Sequence, residues 1–315
     1  MTLVQVCKRL RSISKDESLW RKVNLSRKFV PTGFLKMVFE NGCKYLSLCQ
    51  AFANFPSDQF QERKTLELKY LSLSQFKDPK MLNVDVLLEC CHSLQKLSMY
   101  TPTRNMVNII CNQNCQTLQV LNLHVDEWME DDLLQDILQK CVELTELNIT
   151  GHFVTEQLLD CFVKNIPTKI TKLSLFELET ISHSQDRFVK DLTLRCKKLT
   201  TLHLQHCEIG ESSLASIIEN LDSTLEELDV SYTELWPDDL FKLKSMSKLK
   251  TLVCNYMFVN HLKDELPHLY IDSDLNSAKF ANPNAIFGRK SGMWEIECKR
   301  LDLFGNVAGM DSESE

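Results

Sequence analysis

Apolar residues recur along this chain in groups spaced one, four and six. Leu94, Leu97 and Met99 form one group, followed by Leu118, Leu121 and Leu123, and by Leu144, Leu147 and Ile149. Ile170, Leu173 and Leu175 continue the series, then Leu199, Leu202 and Leu204, then Leu225, Leu228 and Val230, then Leu249, Leu252 and Cys254. The groups begin at 94, 118, 144, 170, 199, 225 and 249, so successive starts are 24, 26, 26, 29, 26 and 24 residues apart. Leu68, Leu71 and Leu73 extend the series upstream. Weaker copies stand at Trp20, Val23, Leu25 and at Cys43, Leu46, Leu48, with a short last copy at Leu266, Leu269, Ile271. Between the groups, 84–89, 131–140, 156–164 and 212–219 place apolar residues at helical spacing. Thr155 and Asp238 are candidate cap residues at helix starts.

A strand plus a helix every 20–29 residues or so is the pattern of a leucine-rich repeat. Alternate strand residues point to opposite faces, so residues four and six enter the core and their neighbours face out. One unit cannot bury its apolar face alone, and neighbours must stack. The predicted fold is therefore α/β: a horseshoe-shaped leucine-rich-repeat solenoid of about 10 repeats, with a parallel sheet on the concave face and helices on the convex face. Cys91, Cys115, Cys141 and Cys196 each precede a repeat's first leucine by three residues, giving C-x-x-L-x-x-L-x-L four times. A small apolar thiol suits the junction of helix and strand.

The outward strand positions make a mixed polar and aromatic strip of the kind that forms specific interfaces. The candidate substrate-binding residues on it are His124, Asn148, Phe176, His203, Gln205, Asp229, Tyr232 and Asn255, with Trp294 from the C-terminal segment. The strip is poor in arginine, whereas gripping a phosphate alone calls for an Arg cluster. Either a partner completes a phosphate site or the ligand is read another way.

Composition narrows the class. Of the 315 residues, 43% are hydrophobic and 25% charged, which excludes disordered and collagen-like chains. No stretch is long and apolar enough for a membrane helix, and Met1–Arg9 lacks the apolar run of a secretory signal. The net charge of −7 argues against nucleic-acid binding, which rests on neutralising phosphates. Thirteen cysteines, an odd number without a signal, read as reduced thiols in a cytoplasmic or nuclear protein.

The ends carry a resemblance. Val6-Cys7-Lys8-Arg9-Leu10 followed by Asp16-Glu17-Ser18-Leu19-Trp20 resembles the last helix and exit of an F-box. Leu262-Lys263-Asp264-Glu265-Leu266-Pro267-His268-Leu269, then Ile286-Phe287-Gly288 and Trp294-Glu295-Ile296-Glu297-Cys298, resemble the C-terminal part of the F-box/leucine-rich-repeat family of S-phase kinase-associated protein two. The resemblance divides the chain into an F-box remnant at 1–20, a solenoid at 21–272, and a segment at 273–315 that returns along the concave face and ends in a disordered acidic stretch. It implies docking on the S-phase kinase-associated adaptor, and through it a cullin, by Val6, Cys7, Leu10, Leu19 and Trp20. Two readings stay open at those residues: Trp20 either contacts the adaptor or seals the first repeat, and Val6, Cys7 and Leu10 face one or the other. The resemblance also implies a protein substrate, phosphorylated or not, and a cyclin-dependent-kinase regulatory subunit as co-binder. The first F-box helices have no counterpart in the chain, which keeps a scaffold or competitor uncoupled from the ligase as the alternative.

No catalytic constellation stands out. His203, His206 and Cys207, like Cys111 and Cys115, lack the paired short spacings of a four-ligand zinc site. Glu127, Glu130, Asp131 and Asp132 precede or open a predicted helix, where the helix dipole favours acids. The sequence therefore predicts a non-enzymatic substrate-recognition subunit of a cullin-type ubiquitin ligase, with no metal, cofactor, membrane or nucleic-acid partner.

Overall fold

The computed structural model describes residues 16–31, 33–53, 65–74, 84–125, 131–151, 155–176 and 185–273. Eleven strands form one parallel sheet in the order β1-β3-β5-β6-β7-β8-β9-β10-β11-β12-β13. They are β1 (Lys22–Asn24), β3 (Tyr45–Ser47), β5 (Tyr70–Leu73), β6 (Lys96–Tyr100), β7 (Val120–Val125), β8 (Glu146–Gly151), β9 (Lys172–Phe176), β10 (Thr201–His203), β11 (Glu227–Asp229), β12 (Thr251–Cys254) and β13 (Tyr270–Ser273). A separate parallel pair joins β2 (Phe29–Val30) to β4 (Phe52–Ala53). The helices include α1 (Glu17–Trp20), α2 (Phe34–Glu40), α3 (Val84–Glu89), α4 (Arg104–Gln113), α5 (Asp131–Lys140), α6 (Glu156–Asn165), α7 (Asp186–Arg195), α8 (Glu211–Leu221), α9 (Pro237–Leu240) and α10 (Val259–Glu265).

Register explains why the array holds. Leu46, Leu71, Leu97, Leu121, Leu147, Leu173, Leu202, Leu228 and Leu252 lie side by side across successive strands. These residues are buried, as are the leucines and isoleucine at position one from Leu68 to Leu249. Strands sit about 4.8 Å apart while helices need roughly 10 Å. Placing helices behind the sheet bends the stack toward the strands, so the sheet lines the inside of the curve.

Position two supplies the joints. The carbonyl of Thr145 accepts the backbone N–H groups of Thr171 and Lys172, and the hydroxyl of Thr171 donates to it at 3.1 Å. Thr200 does the same to Thr171, at 3.0 Å from its hydroxyl. Asn114, wholly buried, clamps a further joint: its Oδ1 accepts from the Leu94 N–H at 2.9 Å and its Nδ2 donates to the Cys91 carbonyl at 2.8 Å. Asp186 opens α7, yet its Oδ1 accepts from the N–H groups of Gly210 and Ser213 and from the Ser213 hydroxyl at the start of α8. One unit's acid thus caps the next unit's helix.

The eleven strands match the eleven copies of the pattern, both weak N-terminal copies and the last included. Two details differ from the sequence reading. The last copy is shifted by two residues: Leu252 pairs with Ile271, which puts His268 at position one and Ile271 at position four. Leu266 still fills the core, but from the turn that ends α10. Asp238 is not a cap; Trp236 holds that place and its N–H donates to Asp239 at 3.0 Å. Thr155 does cap α6, accepting from the Leu158 N–H at 3.0 Å. The acidic run Glu127 and Glu130 lies outside the described residues, as do Val6, Cys7, Leu10, Trp294 and the returning segment beyond 273.

Asn114→Ala strands a buried N–H and a buried carbonyl, each costing about 1–3 kcal/mol. Thr171→Val removes one hydrogen bond to a carbonyl that keeps two other donors, and costs about 0.5–1.5 kcal/mol. Urea unfolding of both variants should rank Asn114→Ala as the more damaging; equal midpoints would contradict this account of the joints.

Candidate functional site

The inner face is built in three rows. Position three of each unit gives Lys22, Tyr45, Tyr70, Lys96, Val120, Glu146, Lys172, Thr201, Glu227, Thr251 and Tyr270. Tyr45 and Tyr70 stack at 4.4 Å between centroids, with the Lys22 ammonium 5.2 Å from the first ring and the Lys96 ammonium 5.5 Å from the second. Further along, Glu146 meets Lys172 at 3.9 Å, and His203 Nε2 lies 3.4 Å from Glu227 Oε1.

Position five forms the floor, and here the expectation of an open strip needs correcting. Asn148 and Asp229 are only 9% and 7% exposed, and Gln205, at position seven, is 7% exposed. Ser47, Ser72, Ser98, Asn122, Ser174 and Val253 are buried too. The reason is lateral bonding. Asn148 Nδ2 donates to Asn122 Oδ1 at 2.5 Å, and Ser74 pairs with Ser98 through their hydroxyls. Asp229 is held locally instead, accepting from the backbone N–H and the hydroxyl of Ser231 in its own unit, at 3.0 and 2.6 Å. The asparagine and serine pairs stitch the sheet, and all of these side chains present little surface to a partner.

Rings line the third row and the turn beyond it. Tyr100 stacks on His124 at 4.6 Å. Phe176 meets the edge of His206 at 5.3 Å, and His206 stacks on Tyr232 at 4.2 Å. His206 and Tyr232 occupy position eight of their units, and both have positive φ, 57° and 56°. Arg27, Gln50 and Thr101, at the same position of other units, are also positive. The turn lets the backbone N–H continue the ladder: Arg27 donates to the Cys49 carbonyl, Gln50 to Ser74, Thr101 to His124 and His206 to Ser231. At Tyr232 the acceptor is the side chain of Asn255, at 2.6 Å. Asn255 therefore holds Tyr232 in place. Trp236 stands 67% exposed nearby in sequence, with its ring 6.1 Å from Phe258.

Of the residues singled out in the sequence, His124, Phe176 and Tyr232 are half-buried or exposed members of ring pairs, and His203 and Asn255 are half-buried. Tyr100, Trp236 and Tyr256 were missed, and His206 was weighed only as a metal ligand. The position-eight turn recurs at Arg27, Gln50, Thr101, His206 and Tyr232, whereas Val125 and Gly151 continue their strands there, so spacing alone gave no signal for His206 and Tyr232. Leu19 is 56% exposed, whereas Trp20 packs on the core and its ring lies 6.3 Å from Phe34. Trp20 thus packs against the first described unit.

His203, His206 and Cys207 diverge: His203 faces Glu227, His206 faces Tyr232, and the buried Cys207 thiol donates to the Leu175 carbonyl at 3.6 Å. Among the described residues no three metal-binding side chains converge. No described helix is long and apolar enough to cross a membrane. The C-x-x-L thiols Cys91, Cys141 and Cys196 are fully buried. Burial pushes the Cys91 thiol far up and that of Cys196 up to about 11; the Cys141 thiol is held up by its hydrogen bond with Cys111 and by burial.

The SKP2 LRR domain family model matches residues 33–301. Solved structures with a similar fold include the leucine-rich-repeat-containing protein LegL7 of Legionella pneumophila, at 14% identity over 80% of this chain and 89% of that one, TM-score 0.48. A Bacteroides fragilis protein matches at 14% identity over 73% of this chain and 74% of that one, TM-score 0.45. A chain of the yeast Rad7–Elc1 complex matches at 13% identity over 87% of this chain and 83% of that one, TM-score 0.42.

Because the thiolate is the reactive form, native alkylation at pH 7.5 should reach the half-buried Cys115 and Cys161 before Cys91, Cys141 and Cys196. Raised folded values also mean that these thiols stabilise the native state fully below the unfolded value of about 8.5 and lose that contribution as pH climbs through about 11 for Cys196. Peptide mass spectrometry that found Cys196 modified ahead of Cys115 would contradict the assignment.

Proposed function

The chain belongs to the SKP2 leucine-rich-repeat domain family, and on that premise we propose that it is a substrate receptor of a cullin-type ubiquitin ligase. Family membership over residues 33–301 carries the reading. The ring-bearing inner face supports it by supplying a surface fit for protein recognition. Rigid aromatic side chains offer large contact area at low entropic cost, and they dominate the energetics of many interfaces.

In this reading the solenoid holds the target against Tyr100, His124, Phe176, His206 and Tyr232, above the stitched polar floor. The N-terminal segment, including Val6, Cys7, Leu10 and the exposed Leu19, engages the S-phase kinase-associated adaptor and so the cullin. Trp20 then serves mainly to close the array. A cyclin-dependent-kinase regulatory subunit shares the inner face when the target is phosphorylated. Ubiquitin transfer is left to other subunits, and the chain contributes position and selectivity.

Affinity capture of the tagged chain from dividing cells should recover the adaptor and the cullin together, and should recover a target that accumulates when the proteasome is blocked. Capture of targets with neither ligase subunit would overturn the ligase reading and favour an uncoupled scaffold. Alanine at Phe176 and Tyr232 together should weaken target binding at least tenfold, in line with about 1.4 kcal/mol or more for well-packed anchors. Asn148→Ala should instead lower stability with little direct effect on affinity, and the reverse ranking would move the contact surface elsewhere.

A further inference from the structure

Charge is distributed unevenly along the inner face. In rows three, five and seven, the five strands β1, β3, β5, β6 and β7 carry Lys22 and Lys96 and no carboxylate. The four strands β10 to β13 carry Glu227, Asp229 and Asp272 and neither lysine nor arginine. Between them, Glu146 on β8 and Lys172 on β9 neutralise each other at 3.9 Å. Arg27, at the turn after β1, adds a further cation, with its Nε bonded to Gln50 Oε1 at 2.9 Å.

We propose that the first strands of the inner face receive an acidic stretch of an extended protein segment, with its carboxylates on Lys22 and Lys96, while the last strands repel it and so fix which way round the segment lies. The proposal rests on the receptor reading above and specifies the chemistry of what is received.

The geometry sets the spacing. Lys22 and Lys96 are three strand steps apart, about 14 Å at roughly 4.8 Å per step. An extended chain advances about 3.4 Å per residue, so carboxylates about four residues apart match the two ammonium groups. Each ammonium lies over a tyrosine ring, and among the described residues neither takes part in an ion pair. The stacked rings restrict the lysine stems and leave the charges for a ligand. Beneath them Ser47, Ser72 and Ser98 are buried, so the ammonium groups and the rings, not the floor, supply the contacts. From β6 to β11 is five steps, about 24 Å. That exceeds the screening length of about 8 Å at physiological salt, so the two ends act on a ligand independently.

The test uses the full chain and a fluorescein-labelled Gly/Ser decapeptide with glutamates at its second and sixth positions. A decapeptide with lysines at those positions is the comparison. Fluorescence anisotropy at 50 mM salt should show the glutamate peptide binding at least fivefold more tightly than the lysine peptide. Lys22→Gln with Lys96→Gln should remove that preference at an unchanged melting temperature, and Glu227→Gln with Asp272→Asn should leave it intact. A preference that survives the lysine changes overturns the proposal. So does a glutamate peptide that binds only after residues 306–315 are removed, because the chain's own acidic end would then be the occupant. The peptide preference needs neither adaptor nor cullin. Its loss with intact ligase capture sinks this inference alone, and its persistence without ligase capture sinks the receptor reading alone.

Discussion

Each position-two carbonyl along the middle of the sheet receives two backbone N–H groups from the next unit, and at Thr145 and Thr171 a threonine hydroxyl as well. That joint fixes the register of one strand against the next, and everything else depends on it. With the register set, Leu147 must lie beside Leu121 and Leu173, so the core becomes one continuous column rather than separate clusters. The same register aligns the outward residues into rows. A slip of one residue would turn the buried column outward and the polar floor into the core, which is why such a slip is excluded wherever one face is apolar.

Rows created this way behave differently from isolated surface residues. A single asparagine on a strand faces water, but Asn148 beside Asn122 satisfies itself laterally and withdraws from solvent. Asp229 is occupied within its own unit by Ser231, and Asn255 by the backbone N–H of Tyr232 in the preceding unit. Polar residues in the floor therefore strengthen the stack, while rings above and beyond them supply contact area. The division follows from spacing: short side chains reach across about 4.8 Å between strands and hydrogen-bond, while longer rings rise past them and stack.

The repeat itself was legible in the sequence because burial constrains residue type so strongly at positions one, four and six. Residues 84–89 and 131–140 were readable as helices for the same reason. α4 was not, since Arg104–Gln113 mixes asparagines among its apolar residues, and Asn114 beyond it was invisible as a clamp because its role depends on carbonyls twenty or more residues away. The last unit misled for a different reason: Leu266, Leu269 and Ile271 keep the full one-four-six spacing, but Leu266 belongs to the end of α10, and the strand enters two residues later. Sequence could list the outward residues of the inner face, yet polarity alone could not tell Asp229, held below, from His206, held above.

The left-handed turns at position eight carry a conformational cost. A non-glycine residue there gives up on the order of 1 kcal/mol relative to a relaxed backbone, and glycine would take the same turn without that penalty. The chain nevertheless carries a histidine and a tyrosine at two of these turns, where they complete the Phe176–His206–Tyr232 stack. Ring area is thus held at turns that strain the backbone, and a glycine at either one would relieve the strain only by removing a member of the Phe176–His206–Tyr232 stack.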